Sequence, residues 1–116
     1  MDIEELRKYC LAKKGTTESF PFDNDTLVFK INKKIFCMAD LRDRLRITLK
    51  CRPDKPIEYM EEFDEVIPGY HMNKNHWNTV DLNGTLVDSF IIDMIDNSYE
   101  LVKKSLTKKE RELFKN

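Results

Sequence analysis

The chain is poor in the residues that most often announce a chemistry. Its 116 residues hold three glycines, four prolines, three cysteines, two histidines and one tryptophan. Gly15, Gly69 and Gly84 are scattered, so no glycine-rich loop can be assembled to cradle a phosphate. Cys10, Cys37 and Cys51 are odd in number and show no paired spacing. That excludes a disulfide framework and makes the reduced cytoplasm the expected compartment. The spacing of His71 and His76 matches neither common zinc pattern, and no cysteine joins them; even with Asp81 or Glu65 nearby, no metal site is expected. No apolar run approaches the ~20 residues of a membrane span. The opening MDIEELRKYC is acidic and helical, unlike a signal peptide. A net charge of −1 excludes an all-over basic binder but allows a local basic face.

What the chain does contain is a foldable mixture. It is 41% hydrophobic and 35% charged, enough for one core with most of the remainder in water. Its length predicts a single domain, 1–116, stable without metal or disulfide.

Periodicity then sets the order of elements. Asp2 to Lys14 reads as a helix, with Asp2 and Glu5 placed for a capping box and Gly15 as its stop. Thr16 to Asp25 reads as a loop, in which Phe20 and Phe22 flank Pro21 and are expected to plug the layer between helix and sheet. Three strands follow: Leu27–Asn32, Ile35–Leu41 and Arg44–Cys51. The last alternates most clearly, Leu45, Ile47, Leu49 and Cys51 against Arg44, Arg46, Thr48 and Lys50. A short helix is predicted over Lys55–Phe63, then a ribbon of Val66–Met72 and His76–Leu82. In the ribbon's second strand Val80 and Leu82 face the core, and Trp77, Thr79 and Asp81 face away. Asn83-Gly84 turns the chain into the longest helix, capped by Asp88 and carrying the seam Ile91, Ile95, Tyr99, Val102, Leu106. Thr107 and Glu110 form a capping box for a last short helix. The order α-β-β-β-α-β-β-α-α predicts an α+β two-layer sandwich: an antiparallel sheet of about five strands with helices on one face.

The other face is the candidate site. Alternation gathers Lys30, Phe36, Met38, Arg44, Arg46, Thr48, Lys50, Trp77 and Thr79 there. Cations interleaved with aromatics suit nucleic acid, because ammonium and guanidinium groups meet phosphates while rings stack on bases. Lys33, Lys34 and Lys74 fall in turns, and His76 adjoins Trp77. The competing reading is a partner or dimer interface centred on Trp77. No catalytic constellation is expected. A hydroxyl nucleophile needs an adjacent base and an oxyanion pocket, and Ser98-Tyr99 sits mid-helix, where Tyr99 belongs to the core. No cofactor is implied.

Longer motifs carry a resemblance. The run Tyr70-His71-Met72-Asn73-Lys74-Asn75-His76-Trp77, then Asp81-Leu82-Asn83-Gly84, then Ser98-Tyr99-Glu100-Leu101-Val102, resembles the closing half of the MmcQ/YjbR family. Phe20-Pro21-Phe22 ahead of a Val-Phe-Lys strand, and Lys34-Ile35-Phe36, fit its first half. The resemblance covers nearly the whole chain. It implies a double-wing arrangement on a secretion-chaperone-like fold, and DNA binding. The expectation is therefore a non-enzymatic cytoplasmic DNA-binding protein of regulatory role, with Lys30, Lys33, Lys34, Arg44, Arg46, Lys50, Lys74, His76 and Trp77 at the contact. The alternative is a protein-interaction or chaperone-like module, homodimeric or partner-binding, using the same face.

Overall fold

The structure, a computed structural model, describes residues 1–69, 73 and 75–112. Helix α1 (Ile3–Leu11) leads into strands β1 (Thr16–Ser19), β2 (Thr26–Ile31), β3 (Lys34–Asp40) and β4 (Arg46–Lys50). Helix α2 (Lys55–Glu62), strands β5 (Val66–Pro68) and β6 (Trp77–Asp81), and helices α3 (Asp88–Lys104) and α4 (Lys108–Glu112) complete it. The sheet order is β1-β2-β3-β4-β6-β5, and every pair is antiparallel. The α+β architecture is as the periodicity predicts, with one strand more.

The added strand is β1, inside the segment expected to be a loop. Thr-Thr-Glu-Ser is short and polar and shows no apolar alternation; it is an edge strand held by pairing with β2. Glu18 also anchors it to α1, accepting from Arg7 Nε at 2.9 Å. The capping box of α1 is present: Asp2 accepts from the Glu5 amide at 2.8 Å, and Glu5 from the Asp2 amide at 3.3 Å. That of α4 is present too, through Thr107 and Glu110. The cap of α3 differs from expectation. Val87 occupies the N-cap position, and Asp88 is the first helical residue, ion-paired to the N-terminal ammonium at 3.3 Å.

The core lies between one sheet face and the helices. Leu6 and Cys10 of α1, with Ile91, Met94, Ile95, Tyr99 and Val102 of α3, close over Leu27, Phe29, Ile31, Ile47, Leu49 and Val80. Helix α2 joins the same layer. Asn78, fully buried, donates to the Pro56 carbonyl at 3.2 Å, and Tyr59 and Phe63 both meet the Phe90 ring. Phe20 and Phe22 do not plug this layer; they are 49% and 64% exposed.

Phe36 also departs from simple alternation, for an identifiable reason. The β2–β3 register passes from Phe29↔Cys37 to Lys30↔Ile35, so Phe36 is the extra residue of a β-bulge. A bulge sets two neighbouring residues against one partner and re-aims a side chain. Phe36 is consequently fully buried, edge-on to the Tyr99 ring with centroids 5.3 Å apart. The next rung after Cys37↔Leu49 would join Phe36 to Lys50. Ser98 of α3 occupies it instead, donating to the Phe36 carbonyl and accepting from the Lys50 amide at 2.9 Å.

Candidate binding face

Directly paired residues of an antiparallel sheet share a face, so the register lays out the open face in rows. The first row is Thr26, Asp40, Arg46 and Asp81. The second is Ser19, Val28, Met38, Thr48, Thr79 and Ile67. The third holds Lys30 beside Ile35 and, farther across, Lys50 beside Trp77.

The charged row holds both signs, and arginines beside it pair with its carboxylates. Arg46 stands between Asp40 and Asp81. Arg42 ion-pairs with Asp40 at 3.2 Å, and Arg44 with Asp81 at 2.6 Å. Burial works to raise the Asp40 pKa, but hydrogen bonds from Arg42 and the charges of Arg42 and Arg46 outweigh it, leaving the carboxyl below its usual range. Arg44 lies outside the strand that the alternation assigned to it, since β4 begins at Arg46.

The middle row is uncharged, and its two threonines satisfy each other. The Thr48 and Thr79 hydroxyls bond across it at 2.7 Å, and both residues are buried. A groove of about 810 Å³ opens here, lined by Phe22, Ile35, Met38, Thr48, Ile67 and Thr79. Asp23, Asp40, Asp43, Arg42 and Arg46 give its wall both signs of charge. Sequence reasoning missed Phe22, Ile35 and Ile67. The one signal was the pair of phenylalanines in an otherwise polar loop, which could equally have belonged to the core.

The nine candidate residues are not one cluster. Lys30 and Lys50 are half-buried at the third row's two ends, and Lys33 is exposed in the β2–β3 turn. Lys34 is engaged elsewhere: its ammonium donates to the Ser105 carbonyl at 3.0 Å, at the C-terminal end of α3, where a cation is favoured. The same turn is tied to α4 by a hydrogen bond from Asn32 to Glu110. Arg46 belongs to the charged row, and Arg44 ion-pairs with that row's Asp81 from outside the strand. His76 uses its backbone at both ends, donating to the Asn73 carbonyl at 3.0 Å and accepting from the Cys51 amide at 2.6 Å. Trp77, half-buried, packs so closely on Gly69 that a Cβ there would lie 2.6 Å from its own. Lys74 and His71 lie outside the described residues. Glu65, considered beside the histidines, holds the Thr85 amide at 3.0 Å instead.

Residues 11–101 match the family model described as YjbR. The chain belongs to the YjbR family. It is 34% identical over 114 residues to the uncharacterized protein YjbR of Escherichia coli K12, covering 97% of each chain. It is 36% identical over 93 residues to the uncharacterized protein YbdF of Escherichia coli O157:H7, covering 79% of this chain and 76% of that one. Among solved structures it resembles Deinococcus radiodurans protein DR2400, of the domain family DUF419, with a TM-score of 0.87 and 37% identity over 97% of this chain and 86% of that one. In this YjbR chain the closing Ser-Tyr motif does structural work. Ser98 completes the sheet ladder, and the Tyr99 hydroxyl donates to the Lys14 carbonyl at 2.6 Å, fastening α3 to the turn between α1 and β1. Cys10, Cys37 and Cys51 are free and all buried, and burial pushes Cys51 up to about 11 and raises Cys37 as well. No helix among the described residues is long and apolar enough to cross a membrane.

Proposed function

We propose that this YjbR protein is a non-enzymatic binding module that holds an apolar segment of a partner protein in the groove on its open sheet face. The observation that carries this reading is the groove's composition: Phe22, Ile35, Met38 and Ile67 around a hydroxyl pair already satisfied, within a wall of both charge signs. A row of phosphates would meet Asp23, Asp40 and Asp43 there, whereas a peptide with apolar anchors and mixed flanking charges complements it. The hydroxyls of Ser98 and Tyr99 are engaged by backbone groups, which supports a role without chemistry. Buried reduced thiols fit a cytoplasmic setting.

DNA binding is the second reading, and one observation favours it. Lys30, Lys33 and Lys50 make no ion pair among the described residues, and Lys50 stands opposite Trp77. One selection separates the two. Displayed random peptides are panned on the wild type and counter-selected on Met38→Asp, with circular dichroism confirming that the variant is folded. Peptides with apolar anchors that bind the wild type and lose at least about tenfold affinity on the variant (a 1.4 kcal/mol change) support the partner reading. No enrichment rejects it. Duplex binding that weakens with salt by a slope of about −0.9 per phosphate, and disappears in Lys30→Glu/Lys50→Glu, puts DNA in its place.

A further inference from the structure

A second cavity lies beyond the end of β4, where Lys50 and the start of α2 approach α3. It measures about 270 Å³. Four cationic residues line it, Lys50, Arg52, Lys55 and Lys104, against a single carboxylate, Glu100. Lys55 is ion-paired with Glu58 at 3.0 Å. Arg52 and Lys104 make no ion pair among the described residues. Glu58's hydrogen bond and charge hold the Lys55 pKa up, while the Arg52 charge works against them, and Arg52 also acts on the Tyr59 phenol. In a chain of net charge −1, four cations against one carboxylate make the cleft a locally positive patch.

We infer that this cleft is a binding site for a small phosphomonoester with a hydroxylated body, of sugar-phosphate size. The phosphate chemistry follows from the cations: a dianion with three acceptor oxygens can meet a guanidinium and two ammonium groups at once. The body follows from the rest of the lining. Glu100 can accept from sugar hydroxyls, and Asn97 offers both a donor and an acceptor. The volume is near the lower end of small-ligand pockets, roughly 300–1,000 Å³. It leaves room for a small sugar beyond the phosphate but not for an extended polymer. The site is separate from the groove, and the inference stands or falls independently of the partner reading.

The test is calorimetric titration of the full chain with ribose 5-phosphate, ribose and inorganic phosphate. Saturable binding of ribose 5-phosphate is expected, with inorganic phosphate weaker and ribose not bound. Arg52 and Lys104 are both exposed, so Arg52→Gln/Lys104→Gln should keep the fold, checked by circular dichroism, and lose at least tenfold in affinity. Glu100→Gln should weaken ribose 5-phosphate while sparing inorganic phosphate, a difference that general loss of charge would not produce. Absence of saturable binding overturns the inference, as does equal affinity for ribose 5-phosphate and inorganic phosphate. Affinity unchanged in the double variant also overturns it.

Discussion

Ser98 donates its hydroxyl to the carbonyl of Phe36, so a helix side chain takes the place of a sheet rung at the β3 bulge. The same oxygen accepts the Lys50 amide. Two strands and the longest helix are thereby joined at one atom. Ser98 and Phe36 are fully buried, so the Phe36 carbonyl has no water as a substitute.

Ser98→Ala should therefore be costly for so small a change. Each buried polar group left bare costs about 1–3 kcal/mol. Urea unfolding should show a lowered midpoint with an unchanged slope. A loss under about 0.5 kcal/mol, the range of an ordinary surface substitution, would contradict the bridging role.

Gly69 and Gly84 should respond differently to alanine. At Gly69 the new methyl meets the Trp77 Cβ at 2.6 Å and its backbone carbon at 3.1 Å, neither of which can move without shifting β6. At Gly84 the close neighbour is Glu65 Cγ at 2.9 Å, part of a flexible side chain. Gly69→Ala should cost about 1–3 kcal/mol, as overpacking does, and should move the emission of the only tryptophan. Gly84→Ala should do less of both. Equal effects would refute the difference in packing.

Acid should loosen the α1–β1 attachment. The hydrogen bond from Arg7, opposed by burial and aided by the guanidinium charge, holds the Glu18 carboxyl below its usual 4.5. A carboxyl whose folded pKa is depressed contributes stability that is complete above the unfolded value and lost as pH falls through the folded one. The contribution should thus be present at neutral pH and decline below about pH 4.5. The pair is partly solvated, with side chains 38% and 25% exposed, so screening keeps its contribution small. Glu18→Gln should lower stability at pH 7 and flatten the acid limb of the stability curve. An acid limb identical to the wild type would rule the pair out as its cause.

The legible parts of the fold were those where one physical signal dominated. The α3 seam from Ile91 to Val102 is buried as its spacing predicts, and both capping boxes are made. Trp77, Thr79 and Asp81 face away from Val80, as alternation requires. What escaped was set by tertiary pairing. Nothing within Thr16–Ser19 marks a strand, because its partner lies in β2. The bulge that turns Phe36 inward is a property of two strands together. At the candidate site, residue type was readable but pairing was not. Arg44 and Arg46 are arginines on or beside the expected strand, yet the carboxylates that balance them come from β3 and β6. Arg52 and Lys104 are far apart in sequence and meet only through the packing of α3.

The sheet order has a further consequence for the chain as it is synthesised. Strands β2 to β4 each pair with the strand made just before, so their contacts close over short loops. Strand β5 pairs with β6 alone, and β6 is made after it. A chain emerged only as far as Pro68 has four strands already able to pair and a fifth with no rung to join. Until Trp77–Asp81 follows and slots between β4 and β5, Val66 and Ile67 stay uncovered along their inner edge, and the long loop through α2 delays that closure. The half of the protein that carries its only tryptophan is thus the half that must be completed last.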